Sequence, residues 1–201
     1  MSNPIELHES PKKPLLSEHA KHEIIDWAKS IIAALLIVLV IRSFFFTMIR
    51  VDGDSMRETL HDRDRLFVTV LDCKISGPKR FDVVICHYPN RKENFVKRVI
   101  GLPGDTVEVK GGMLYVNGIE YPEEYLNEDR VKRFRSGSSE MNITLGEDEY
   151  FVMGDNRDNS NDSRYVGTIS KDMFVGVVRA RIWPLNDICG IAGSGEYNKQ
   201  E

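Results

Sequence analysis

The chain has 201 residues, 41% of them hydrophobic and 29% charged, and a formal net charge of -4. That length suits one ordinary domain with an appendage, and the mild negative charge speaks against a nucleic-acid partner. Its cysteines, Cys73, Cys86 and Cys189, are far apart and outside any C-x-x-C pattern. That spacing speaks against a disulfide framework or a zinc site and leaves a single pairing open.

In chain order, residues 1–22 read as a polar tail, with Pro4, Pro11 and Pro14 pointing to disorder over 1–16. Ser17 offers a helix cap, and Trp27 suits an interface. Ile31 to Ile41 is unbroken apolar sequence, and after Arg42-Ser43 the run resumes from Phe44 to Ile49. Ile31 to Ile49 is about 19 residues, roughly 28 Å as a helix, which favours a membrane span over a buried core helix. About thirty residues precede the run and no A-x-A site follows it, unlike a cleaved leader. The expectation is one uncleaved transmembrane anchor over residues 23–49. Lysines before it and arginines after it balance, so charge leaves the orientation open.

The remainder, residues 50–190, reads as a mainly β domain. Leu66–Val70, Asp82–Tyr88, Phe95–Ile100, Tyr150–Met153 and Phe174–Ile182 are strand-like runs. Val107–Val109, Met113–Val116 and Ile119–Tyr121 are separated by Gly111-Gly112 and Asn117-Gly118, which predicts consecutive hairpins. Residues 122–147 are polar and suggest a long loop or peripheral hairpin, and 191–201 suggest a tail.

The five histidines, His8, His19, His22, His61 and His87, occupy no Ser/His/Asp setting, and H-E-x-x-H is missing. A metal hydrolase or a histidine-based triad has no support. Three other segments carry chemistry-bearing residues. The first is Gly53 to Leu60, containing Ser55 and Met56, and the second is Phe95 to Asp105, containing Lys97. The third is Met153 to Arg164, containing Gly154, Ser160, Asp162 and Arg164. In a strand, Lys97 shares a face with Phe95 and Val99, where desolvation would depress its pKa and yield a neutral base. Taken alone, the strand better suits an edge lysine whose stem packs while its ammonium reaches water. The third segment alone suits a turn; as a calcium loop it lacks the required Gly and Glu, with Ser163 and Ile169 in their places.

Together these segments resemble bacterial type I signal peptidases, whose boxes read G-x-S-M-x-P-T, Y-V-K-R-V-I-G-L-P-G-D and G-D-N-R-D-N-S-x-D-S-R. Here Phe95 replaces the Tyr of the second box, the third box is complete from Gly154 to Arg164, and Arg80-Phe81-Asp82-Val83-Val84 supplies a further element. The resemblance runs from about residue 27 to 184. It departs at Glu58, where the family has Pro, which puts rate and specificity rather than chemistry in question.

The resemblance implies a serine endopeptidase of the signal peptidase fold behind one N-terminal transmembrane helix. Ser55 would be the nucleophile, Lys97 the general base, Ser160 a hydroxyl orienting the amine, and Asp162 with Arg164 a structural ion pair. Met56 and Gly154 would support the site, and the Ser55 N–H would help hold the oxyanion. Gly53 lacks the hydroxyl that some members use as a second donor. Expected partners are signal peptides of exported preproteins, cut after small residues, and the lipid bilayer; nucleic acid is not expected. The N-terminus would be cytoplasmic and the catalytic domain extracytoplasmic. No cofactor and no metal are implied, and a monomer is the simplest expectation. The rival readings are an inactive membrane-tethered peptide-binding β module and a self-cleaving Ser–Lys protease.

Overall fold

A computed structural model describes residues 18–89, 91–126, 140–191 and 193. The expected disorder of 1–16, residues 127–139 of the expected loop and most of the C-terminal tail lie outside the described residues. The chain divides into two compact units, Met1–Ile41 and Arg42–Glu201.

Helix α1 spans Glu18–Phe45. Within it Lys29 donates to Asp26 at 3.1 Å and the Ser30 hydroxyl donates to the Asp26 carbonyl at 3.0 Å. Ile31, Ile32 and Leu35 to Val40 are each more than half exposed. Among the described residues, no helix is long and apolar enough to cross a membrane.

The expected helical span through Ile49 ends early, because Phe46–Arg50 form strand β1. These residues alternate in exposure and pair antiparallel with β2 (Arg65–Thr69), from Phe46 opposite Thr69 to Arg50 opposite Arg65. Phe46 stacks on Phe67 at 5.0 Å between ring centroids. The paired backbone and the cross-strand aromatic contact favour a strand where hydrophobicity alone suggested helix.

Ten further strands follow: β3 (Val83–Cys86), β4 (Phe95–Gly101), β5 (Thr106–Lys110), β6 (Met113–Val116) and β7 (Ile119–Tyr121). After these come β8 (Met141–Thr144), β9 (Glu149–Met153), β10 (Ile169–Ser170), β11 (Phe174–Trp183) and β12 (Cys189–Gly190). Helices α2 (Leu71–Ser76) and α3 (Ser163–Val166) are short. The larger sheet runs β1-β2-β11-β3-β4-β9-β10, with β12 against β11, and the smaller runs β7-β6-β5-β8.

The mainly β expectation holds, and its predicted strands are present. Two local readings change. The segment expected as a long loop or peripheral hairpin over 122–147 contributes β8, a strand of the smaller sheet rather than loop, pairing Thr106–Val109 with Thr144–Met141. The edge-strand reading of Lys97 also fails, because β4 lies between β3 and β9.

One cluster of Phe81, Ile100, Val107, Val109, Leu114, Val116, Leu145, Phe151 and Met153 joins the two sheets. The turn from β4 to β5 is fixed by Asp105, which accepts from Leu102 N at 2.6 Å, Asn117 Nδ2 at 2.8 Å and Arg80 Nη1 at 2.8 Å. Gly104 takes a positive φ of 83° there, which explains its place in the Gly-Leu-Pro-Gly-Asp sequence.

Candidate active site

Lys97 is carried by the interior strand β4, whose residues from Val96 to Gly101 are all buried. Val84 lies directly opposite Lys97 across the β3 pairing, and Cys86 opposite Phe95. Val84, Cys86, Tyr88, Phe95 and Val99 belong to one apolar cluster. Lys97 is 2% exposed, and burial pulls its pKa below the ordinary lysine value. Its Nζ donates to the Val96 carbonyl at 2.9 Å and lies 2.6 Å from Ser55 Oγ. Residues 42 positions apart in sequence therefore meet in hydrogen-bond contact.

Ser55 sits in the turn after β1, closed by Arg57 N to Asp54 O at 3.1 Å and Leu60 N to Met56 O at 2.7 Å. Buried Met56 and Leu60 anchor that turn in a cluster with Val51, Leu66, Val83 and Val96. Glu58 is half-buried within it. The Ser55 N–H has no intramolecular partner among the described residues. The Gly53 N–H, by contrast, donates to Asp62 Oδ1 at 3.1 Å.

The third segment grips this turn from below. Asn156 N donates to Ser55 O at 3.0 Å, Asn156 Nδ2 to Asp54 O at 2.9 Å, and Asp155 N to Met56 Sδ at 3.4 Å. A methyl at Gly154 would overlap both the Ser55 carbonyl and the Ser160 hydroxyl, so the turn approaches this closely only over glycine. Ser160 is buried beside the dyad, and its Oγ makes no hydrogen bond of good geometry, to Lys97 or elsewhere. It does lie close enough to Asp162 to favour the ionised carboxylate.

Arg164 Nε and Nη2 donate to Asp162 at 2.8 and 2.9 Å, and Gly154 N donates to the same carboxylate at 2.9 Å. Burial would raise the Asp162 pKa, but these donors overcome it and hold the group below the usual carboxylate value. The structure thus brings together Ser55, Lys97, Met56, Gly154, Ser160, Asp162 and Arg164.

Other residues of the site carry no role in the sequence reading. Buried Arg98 donates to Asp155 Oδ1 and Oδ2 at 2.9 and 2.7 Å and to Phe81 O at 2.9 Å. The Thr59 hydroxyl also donates to Asp155. Arg98 and Asp155 stand inside the second and third boxes, so their charge complementarity was a usable signal. Tyr88 stacks on Phe95 at 4.1 Å and donates to Asn161 O at 2.6 Å, a contact that no motif announced.

A cleft of about 310 Å³ opens beside the dyad, lined by Val51, Ser55, Met56, Phe95, Val96 and Lys97 among others. The Ser55 hydroxyl and the Lys97 amine, whose pKa burial lowers, both line it. Among the described residues there is no group of three or more His, Cys, Asp or Glu side chains that could hold a metal.

The family model for signal peptidase, peptidase S26, matches residues 24–183. Signal peptidase I of Bacillus amyloliquefaciens is 42% identical over 173 residues, covering 84% of this chain and 92% of the relative. Signal peptidase IB of Staphylococcus aureus (strain COL) is 37% identical over 180 residues, covering 83% and 93%. A solved signal peptidase I from Enterococcus faecalis V583 is 36% identical, with a TM-score of 0.44 over 50% of this chain and 95% of that one. On the family match and the two sequence relatives, the chain belongs to the signal peptidase family, peptidase S26.

Proposed function

We propose that the chain is a serine endopeptidase that removes signal peptides from exported preproteins through an acyl-enzyme on Ser55. The observation that carries this reading is the 2.6 Å contact between Ser55 Oγ and the Nζ of a lysine that is 2% exposed. Neutral Lys97 accepts the hydroxyl proton as Oγ attacks the scissile carbonyl. The unpartnered Ser55 N–H donates to the oxyanion. Collapse of the tetrahedral intermediate expels the new amine, which takes the proton back from Lys97. Water then attacks the acyl group, with Lys97 again accepting a proton, and releases the signal peptide. Substrates carry small residues at the first and third positions before the cut, in keeping with the family resemblance. Ser160, Asp162 and Arg164 shape the wall behind the amine.

The chain is held at the cell membrane by the apolar part of α1, with its N-terminus cytoplasmic and its catalytic unit outside. Support comes from the exposed run Ile31–Val40, whose apolar side chains need a non-aqueous surrounding, and from the membrane position of the substrate's own apolar segment.

The test is cleavage of a fluorogenic peptide with small residues at those two positions. Ser55→Ala and Lys97→Met should each remove nearly all turnover, and the double variant should be little worse, because the two groups act as one unit. Substantial turnover by Lys97→Met would assign the base elsewhere. A folded wild-type chain that cleaves no signal-peptide substrate would favour an inactive peptide-binding module.

A further inference from the structure

Arg157 belongs to the third box, yet the acidic group that answers its charge lies outside it. Its Nη1 donates to Glu123 Oε2 at 2.9 Å, its Nη2 contacts Glu123 Oε1, and the same Nη2 donates to Tyr125 Oη at 3.1 Å. Glu123 and Tyr125 follow β7 of the smaller sheet, in the segment that sequence alone suggested was a long loop or peripheral hairpin. The pair is nearly dry, with side-chain exposures of 2% for Arg157 and 7% for Glu123. Such a forked, desolvated pair fixes the guanidinium plane, whereas a single exposed charge would leave it free to turn.

The other edge of that guanidinium faces the nucleophile's support. Arg157 Nε donates to the Gly154 carbonyl at 3.1 Å. Gly154 is the residue on which the Ser55 carbonyl and Ser160 side chain rest. The next two residues, Asp155 and Asn156, bond Met56 Sδ, Ser55 O and Asp54 O. A continuous path therefore runs from Glu123 through Arg157 and Gly154 to Ser55, and every link is a bond or a close contact. Lys97 is not on this path: it is placed by the pairing of β4 with its neighbours.

We propose that Glu123 is a positioning residue for the nucleophile, acting through Arg157 on the Gly154–Asn156 turn. Resting on the peptidase reading above, this makes the segment after β7 part of the catalytic apparatus. Loss of the carboxylate lets the turn relax, and Ser55 then sits less often in line with Lys97. The cost falls on kcat, because small displacements of a reacting group are paid in the chemical step. KM and the protonation of Lys97 stay as they were.

The experiment uses the full chain and the same fluorogenic peptide, with Glu123→Gln and Arg157→Lys. The second variant keeps a positive charge opposite Glu123 but cannot donate from Nε to Gly154. Rates are divided by the folded fraction, measured by circular dichroism at the assay temperature. The expected result for both variants is a fall in kcat of about tenfold, with KM within about twofold and the acid limb of the pH profile unmoved. Wild-type kcat in both variants overturns the proposal. A loss that disappears on correction for folded fraction, or unfolding of both variants, assigns the pair to the fold alone and also overturns it. A wild-type chain that cleaves nothing overturns the peptidase reading itself, and this inference with it. That outcome is distinct from an active wild type matched by its variants.

Discussion

The base and the nucleophile are held by different kinds of structure. Lys97 stands on a strand paired on both sides, with Val84 opposite it in β3 and the adjoining Arg98 opposite Met153 in β9. Ser55 stands in a turn, held by Asn156, Met56 and the close approach of Gly154. A residue in the middle of a sheet is over-determined, since the ladder bonds of neighbouring residues all agree on its position. A residue in a turn depends on a few contacts, and here those come from about a hundred positions away in sequence. Changes at the turn should therefore alter the rate of chemistry without moving the base's ionisation. Changes around the lysine should do the reverse.

The largest effect is expected where the two regions share one group. Asp155 accepts from Arg98 on the lysine strand and from Thr59 on the nucleophile turn, and both members of the Arg98–Asp155 pair are almost fully buried. Asp155→Asn removes the carboxylate paired with a guanidinium in a dry site and should cost about 3–5 kcal/mol of folding stability. Urea unfolding monitored by circular dichroism measures it. A loss below about 1 kcal/mol would show that water reaches Arg98 and that the two regions are not tied together there.

Gly154→Ala separates the regions. The added methyl meets the Ser55 carbonyl and the Ser160 hydroxyl, one of them backbone that cannot turn aside. The nucleophile must shift, and kcat should fall about a hundredfold. The acid limb of kcat/KM should move far less than the rate, because β4 is untouched and Gly154 reaches Lys97 only through its bond to Asp162. A limb that moved together with the rate would mean that Gly154 also sets the environment of Lys97.

How far the sequence revealed this arrangement follows the same division. Lys97 was legible as an odd residue, because period-two alternation put it on a face with Phe95 and Val99. Its burial was not, since single-strand patterning cannot tell an edge from an interior strand. Ser55 was legible only through the resemblance, for nothing local marks a serine in a turn as a nucleophile. The grip of Asn156 and Gly154 joins segments far apart in the chain and has no periodicity to betray it. β1 was misread as helix because Phe46–Ile49 are apolar, and hydropathy does not record the partner strand Arg65–Thr69. β8 was not singled out because Met141–Thr144, although they alternate, span only four residues inside a polar stretch that suited a loop as well as a hairpin.

On the lysine side, the pH profile is the sharper probe. Burial is the main cause of the lowered Lys97 pKa, and the carboxylates of Asp162 and Asp155 oppose it while Arg164 adds to it. As pH falls, Lys97 takes a proton, the base is lost, and kcat/KM declines with one ionisation. Asp162→Asn removes an anion that favours the ammonium, and with it the carboxylate that offsets the Arg164 charge. Both changes lower the lysine pKa further, so the acid limb should move to lower pH. The variant should also lose about 1–3 kcal/mol of stability near neutrality, where the wild-type carboxylate is ionised and bonded. That contribution is present above the unfolded carboxylate pKa and fades as pH falls through the depressed folded value, so the difference should shrink in acid. A limb displaced to higher pH would contradict the placement of Asp162 beside the amine.

The smallest effect is expected at Tyr88, which makes no hydrogen bond to either reacting group among the described residues. Burial holds its phenol neutral well above the ordinary tyrosine range, so it remains a donor at every assay pH. Its ring stacks on Phe95, two positions before Lys97, and its hydroxyl donates to Asn161 O, between Ser160 and Asp162. Tyr88→Phe keeps the stack and removes only the donor. The Asn161 carbonyl then loses one partner, which should cost about 1 kcal/mol of stability. The wall behind the amine loosens slightly, and kcat/KM should fall by about twofold to threefold with the acid limb nearly in place. Tyr88→Ala loses the stack as well, and should add a visible displacement of the limb because the cover over Lys97 is then thinned. Measuring both variants side by side separates the hydroxyl's hold on the third segment from the ring's part in keeping the lysine dry. A tenfold loss in Tyr88→Phe at unchanged stability would mean that the hydroxyl bears on the chemistry directly, and the indirect route through Asn161 would have to be abandoned.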